Sequence, residues 1–416
     1  MKRLKQLFSS FGPAIIVAAI VLGPGSILTS SKVGAQYGYP AVTAIILAVI
    51  LMIAMVALSA RIGVIYDDSP CDQLARRLGR PVSVIVGAIL FALVAIFQYS
   101  NNVAIISGLA PLFDSENFSL TAGATPAIIL VSFNAVVIFC FYRMRHLYDS
   151  IESLMKWLIG LMVVAFLINF LVVFSSPRGY VPVSSKQEPD VIVLLGLMGT
   201  TFSVGGAFYQ AYLVKEKGWK LPDAQRGLFD SVISISVVGV VSIVILMTAA
   251  RVFHGRPDPV VLSGVGDVAM QLQPLFGRWA KVIFCLGIFA GAFSSFLVNA
   301  LVGGTVLSDS LGKGSRLGEG WTLSLTTVAL LCGLIVALFN LSDAASTVNL
   351  ITFAQALTVL GLPALALALL YLGTRPDLTG ERKVPRWIIS LGWVGFIVAL
   401  ALAVRTSVAV LEKLGW

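Results

Sequence analysis

Between Pro13 and Ala409 the chain alternates long apolar stretches with short polar breaks, a pattern that repeats with little variation to the carboxyl end. A hydrocarbon layer of about 30 Å is crossed by roughly 20 apolar residues in a helix. Stretches of that length predict spans at about 11–37, 40–64, 82–109, 124–142, 152–175, 190–216, 228–252, 277–310, 320–340, 345–372 and 385–409. The longest links, 65–81, 176–189 and 253–276, are too short to hold a folded domain. The first stretch has a basic start like a secretory signal, yet it continues through Gly23-Pro24-Gly25 without a small-residue cleavage site and is kept as the first span. The expected architecture is one all-α polytopic membrane domain of about eleven helices over residues 1–416.

Two spans are interrupted in the same manner. The first carries Gly23-Pro24-Gly25-Ser26, and the sixth carries Gly199-Thr200-Thr201-Phe202-Ser203-Val204-Gly205-Gly206. Glycine and proline inside a span often mark nothing more than a kink or a close helix crossing. A matched pair that opens two five-helix sets is more specific, because inverted-repeat transporters build their midplane sites from such discontinuous helices. The chain then divides into a first repeat at about 11–175, a second at about 190–372 and an extra helix at about 385–409.

At the breaks, Ser26, Thr200, Thr201 and Ser203 offer hydroxyls, while Gly205 and Gly206 leave main-chain N–H groups open to approach. The second half-helices point positive dipole ends at the gap, which suits an anion. The plainer alternative is that each hydroxyl bonds a carbonyl of its own preceding turn. Tyr209 and Gln210 are expected as pocket walls. Lys32 stands inside the first span, where an ionisable side chain marks a functional site or else snorkels to the outer interface.

Composition narrows the function further. Of the 416 residues 58% are hydrophobic and 12% charged, about half the charged share of a soluble domain, which excludes a soluble enzyme. A net charge of +9 would invite a nucleic-acid partner, but the basic residues fall in membrane-flanking clusters. With the amino terminus in the cytoplasm, twenty Lys and Arg lie on that side and eight outside (Arg178, Lys186, Arg251, Arg256, Arg278, Lys281, Arg405, Lys413). Retention of positive charge inside then gives an inner-membrane protein with an external carboxyl terminus. The expected partners are the lipid bilayer and a small inorganic ion, with no nucleic acid; the oligomeric state is left open, a monomer being compatible with the sequence. Cys71, Cys140, Cys285 and Cys332 are scattered without metal-ligand spacing, and the histidines, His146 and His254, fall in links.

With these residues in hand, the chain resembles the natural resistance-associated macrophage protein (NRAMP) family of divalent-metal transporters. The family's first-helix Asp-Pro-Gly-Asn appears as Gly23-Pro24-Gly25-Ser26, followed by Tyr37-Gly38-Tyr39. Gly291-Ala292-Phe293-Ser294-Ser295 and Leu301-Val302-Gly303-Gly304 resemble its eighth helix. Ala354-Gln355, Leu362-Pro363 and Arg375-Pro376-Asp377-Leu378-Thr379-Gly380 resemble the tenth helix and the link after it. The resemblance implies a LeuT-like fold, a 5+5 inverted repeat plus one helix, and a transporter rather than an enzyme.

The departures from the family pattern bear on the substrate. The family's metal ligands on the first and sixth helices align with Gly23, Ser26, Thr200 and Ser203, so the carboxylate and the thioether that suit a transition metal are gone. The acidic pair of the third helix aligns with Gln98 and Asn101, which removes the usual proton carriers. No resident metal or cofactor is therefore expected. The leading expectation is a small anion such as bicarbonate, held by Gly23, Gly25, Ser26, Lys32, Thr200, Ser203, Gly205 and Gln355, with sodium at Ser294 and Ser295 as the candidate coupling ion. The alternative is a divalent cation (manganese, iron or magnesium) in a degenerate metal site. A non-transporting sensor is a third reading, for which the short links offer no partner surface.

Overall fold

The computed structural model of the chain describes residues 12–113, 123–144, 146–176, 190–256, 262, 265–340 and 357–413. Among the described residues there is no strand; helices follow one another through short connections. The broken first span is α1 (Ala14–Val21) and α2 (Pro24–Tyr37), bent by 54° at the junction. Then come α3 (Val42–Ile65), α4 (Pro70–Leu78), α5 (Arg80–Phe113), α6 (Thr125–Arg143) and α7 (Leu147–Ser175). The broken sixth span is α8 (Val191–Thr201) and α9 (Val204–Glu216), and α10 (Ala224–Phe253), α11 (Val265–Ser310), α12 (Gly320–Phe339), α13 (Leu362–Gly373) and α14 (Arg386–Lys413) complete the chain.

Among the described residues nine helical segments are long and apolar enough to cross a bilayer, ten with the bent α1–α2 pair. α13, with the turn Thr358–Gly361 before it, is shorter, and residues 345–356 of the predicted tenth span lie outside the described residues. The α8–α9 span is 89% buried within the protein and the α14 span 22%. The broken helix therefore lies at the centre and the last helix at the lipid-facing edge. α5 packs along α11, and α10 packs on α2, α3 and α7. In lipid such contacts rest on close van der Waals fit rather than on the exclusion of water.

Two predicted links turn out to be partly helical. The link 65–81 contains α4, whose signals are all local: Ser69 accepts a hydrogen bond from the Asp72 N–H as N-cap, Pro70 opens the helix, and Asp72 lies in its first turn. Arg76 and Arg77 occupy its last turn and Gly79, at φ +94°, stops it. α4 is amphipathic and packs on α5, α11 and α13. The link 253–276 is shortened because α11 begins at Val265.

Hydrogen bonds gather the basic connections at one end of the bundle. Arg61 donates to the Glu381 and Lys383 carbonyls, and Arg382 to the Ile65 carbonyl. Lys217 pairs with Glu152, and Glu216 accepts from the Leu317 N–H. At the opposite end Gln36 accepts from the Asp190 N–H, and Arg251 reaches the Ser176 carbonyl.

Candidate functional site

Both breaks are made by two residues. α1 closes with the Leu22 N–H donating to the Ala18 carbonyl, and Gly23 is extended (φ −81°, ψ 175°) before Pro24 opens α2. Proline at a first helical position forgoes an N–H that would have had no partner in the helix. α8 closes with Phe202 donating to Met198, and Ser203 precedes α9, whose ladder begins with the Ala207 N–H donating to Ser203. Carbonyls at the ends of α1 and α8, and N–H groups at the starts of α2 and α9, are thus left over at the centre of the protein.

A cavity adjoins the second break. The space open to the centre of a water molecule is about 20 Å³, room for roughly one water. Its polar lining is Ser203, Asn299 and Thr358, with Gly199, Gly205 and Gly206 presenting main chain; the remaining wall is apolar and comes from α1, α5, α11 and α13. Among the described residues no three His, Cys, Asp or Glu side chains are gathered as a metal site.

The predicted site residues divide between this cavity and its surroundings. Ser203 and Gly205 line it. Gly23 does not: it packs against α11, where a Cβ added to it would stand 2.6 Å from Ser295 Oγ. Ser26 is buried in the first turn of α2 with its hydroxyl unpaired. The Gly25 carbonyl accepts the Thr29 hydroxyl at 2.8 Å. The Thr200 hydroxyl turns back to the Gly196 and Leu197 carbonyls at 3.0 and 3.1 Å, the local bonding that competes with a ligand role. Lys32 is half-buried on α2 and is not part of the cavity wall. Gln355 lies outside the described residues.

Of the two serines of α11, Ser295 faces the first break at Gly23. Ser294 Oγ donates to the Gly291 carbonyl at 3.1 Å, and Ser295 Oγ accepts from Asn299 Nδ2 at 2.8 Å. Asn299 and Thr358 also line the cavity and were not among the residues predicted from the sequence. Asn299 had one available signal: it follows Ser295 by four residues, on the same helix face.

Beside the cavity runs a chain of neutral amides. Gln98 donates to the Phe296 carbonyl at 2.8 Å and Asn101 to Gln98 Oε1 at 3.2 Å. Asn102 donates to the Gln98 carbonyl at 2.8 Å, and Asn134 donates to Asn102 Oδ1 at 2.7 Å. The buried carboxylates are elsewhere. Asp230 of α10 accepts from the Gly12 and Ala14 N–H groups at 2.7 and 2.8 Å and so holds the start of α1. Glu152 pairs with Lys156 and Lys217 at 2.7 and 2.6 Å. Outside the spans, the hydrogen bond from Arg77 holds the exposed Asp377 carboxyl below its ordinary range.

Comparison with known proteins matches residues 14–409 to the model of the family described as natural resistance-associated macrophage protein-like. A divalent metal cation transporter, MntH of Staphylococcus aureus (strain JH9), is 24% identical, over 99% of this chain and 93% of its own. Among solved structures, the Eremococcus coleocola manganese transporter superposes with a TM-score of 0.76 at 18% identity, covering 97% of this chain and 87% of the other. MHP1, a nucleobase-cation-symport-1 family transporter, superposes at 0.58 with 11% identity, covering 97% and 93%.

Proposed function

Since the chain belongs to the NRAMP family of secondary transporters, we propose that it carries a divalent cation and that the cavity beside the paired helix breaks is its substrate site. The observation that carries this reading is the cavity's polar lining: hydroxyl, amide and main-chain groups only. Kinship supplies the class of substrate, because the relatives described above carry manganese or other divalent metals. The donor set supplies the kind of ion. Carbonyl and water oxygens suit magnesium and manganese, whereas soft ions call for thiolate or thioether. Magnesium keeps several of its waters when bound, so a site without a carboxylate handles a hydrated ion weakly rather than a bare one tightly, in a state in which the cavity is wider than the one-water space seen here. The basic-connection end is assigned to the cytoplasm, on the positive-inside argument.

A small anion such as bicarbonate is the second reading. What favours it is that the first N–H groups of α9, at Gly205 and Gly206, border a cavity with no carboxylate. An anion entering a negative-inside cell climbs about 2.3 kcal/mol per 100 mV, so this reading needs a coupled cation, with sodium between Ser294, Ser295 and the Leu22 carbonyl as the candidate. A divalent cation entering the same cell needs none.

The test is uptake by the purified chain in proteoliposomes. Magnesium and manganese are expected to enter with low affinity and to compete with one another, while cadmium, a softer ion, competes poorly. Uptake of labelled bicarbonate without divalent-cation uptake would replace this reading with the second one.

A further inference from the structure

α9 and α11 both leave the cavity and run toward the basic-connection end, meeting at successive polar pairs. Ser203 and Asn299 both line the cavity. Further along, Tyr209 Oη stands 3.5 Å from Thr305 Oγ1, and Tyr212 Oη donates to Asp309 Oδ2 at 2.7 Å. The two tyrosine rings stack with centroids 5.9 Å apart. The seam between these helices is therefore closed by two successive polar contacts.

Asp309 is the focus of the second contact. Its carboxylate also accepts from Ser69 Oγ at 2.6 Å and from the Cys71 N–H at 3.3 Å, and the side chain is 1% exposed. Among the described residues no lysine or arginine forms an ion pair with it. Arg80, which reaches the same turn, donates to the Asp309 main-chain carbonyl at 3.2 Å and pairs with Asp72 at 3.0 Å. Ten residues of helix set Asp309 about 15 Å from Asn299 along α11.

Two buried groups on the same stretch are unpaired. Gln210, on the helix face of Ser203 and Gly206, is fully buried with neither amide atom bonded, and the Ser308 hydroxyl next to Asp309 is likewise buried and unpaired. Buried polar groups are nearly always satisfied in native structures, and exceptions of this kind fit a path that a hydrated ion completes.

We propose that the exit path for the cation runs between α9 and α11 and that Asp309 is its anionic ligand, receiving the ion by giving up its bonds to Tyr212 and Ser69. This rests on the divalent-cation reading. The charge missing at the cavity then stands at the exit, where it draws the ion out of a weak site, and the contact that seals the path is the one the ion breaks. An anion would be repelled by the same carboxylate.

Cys71 reports on this contact without measuring transport. It is fully buried in the closed arrangement, where burial pushes its thiol up to about 12. With Cys140, Cys285 and Cys332 changed to serine it is the sole thiol of the full chain. In reconstituted vesicles its labelling by a membrane-impermeant maleimide is followed with and without magnesium. Tyr212→Phe, which removes one donor to Asp309, is expected to speed labelling at least tenfold. Magnesium is expected to speed it several-fold in the parent and in Asp309→Glu but not in Asp309→Asn. If the parent takes up magnesium and Asp309→Asn keeps the full labelling response, Asp309 is only a cap for α4 and the inference falls. Absence of both magnesium and manganese uptake by the parent would instead overturn the cation reading, and this inference with it.

Discussion

Gly23 lacks a side chain where Ser295 takes up the space for one, since a Cβ there would come 2.6 Å from Ser295 Oγ. A carboxylate at the first break is therefore not regained by one substitution. Gly23→Ala is expected to lower stability by about 1–3 kcal/mol through overpacking, and Ser295→Ala in the same chain to recover most of the loss; thermal unfolding in detergent checks both. A second pair of variants separates the hydroxyls. Ser203→Ala is expected to raise KM by the worth of a neutral hydrogen bond, roughly 0.5–1.5 kcal/mol. Thr200→Ala leaves KM unchanged, its hydroxyl being engaged by Gly196 and Leu197. Uptake kinetics distinguish them. That Ser203 and Gly205 line the central cavity was legible because the glycine- and hydroxyl-rich interruption is a local signal. Asn299 and Thr358 were not, because they reach the cavity from other helices and look like ordinary polar residues of a span. For Thr200 the sequence left both readings open, because where its hydroxyl turns depends on helix geometry that residue type does not reveal.

At the scale of elements, span length and the paired interruptions carried nearly all the information. Apolar stretches long enough to cross the bilayer mark α3, α5 and α10 with little ambiguity, and glycine and proline mark both breaks. α4 was hidden because its nine residues are too short and too charged to register as a span, although Ser69-Pro70, Asp72, Arg76-Arg77 and Gly79 are its start and stop signals. α1 shows how one carboxylate can hold an element. It is eight residues long, and Asp230 accepts hydrogen bonds from the N–H groups of Gly12 and Ala14 at its start. Hydrogen bonds to a charged acceptor contribute about 1.5–3 kcal/mol each. Asp230→Ala is therefore expected to speed amide hydrogen exchange across Ala14–Val21 at least tenfold while leaving α12 unchanged. Equal exchange in the two proteins would mean that α1 is held by its apolar packing alone.

Among the described residues of the whole molecule the ion pairs gather toward the ends and the lining of the central cavity is neutral. Arg61, Arg382, Lys217 and Glu152 tie the connections of the basic end together, while Gln98, Asn101, Asn102 and Asn134 line the interior with amides. Positive-inside counting read the first of these features from the chain alone; the second needed the helices assembled, because the amides come from α5 and α6 and meet α11. The central claim is that a cation crosses this neutral centre, and the sign of the transported charge tests it most directly. Each charge moved through 100 mV is worth about 2.3 kcal/mol, so a divalent ion feels about twice that. In proteoliposomes with a potassium diffusion potential, magnesium uptake is expected to accelerate when the interior is made negative and to slow when it is made positive. Magnesium exclusion at every potential, with labelled bicarbonate entering faster into a positive interior, would contradict it.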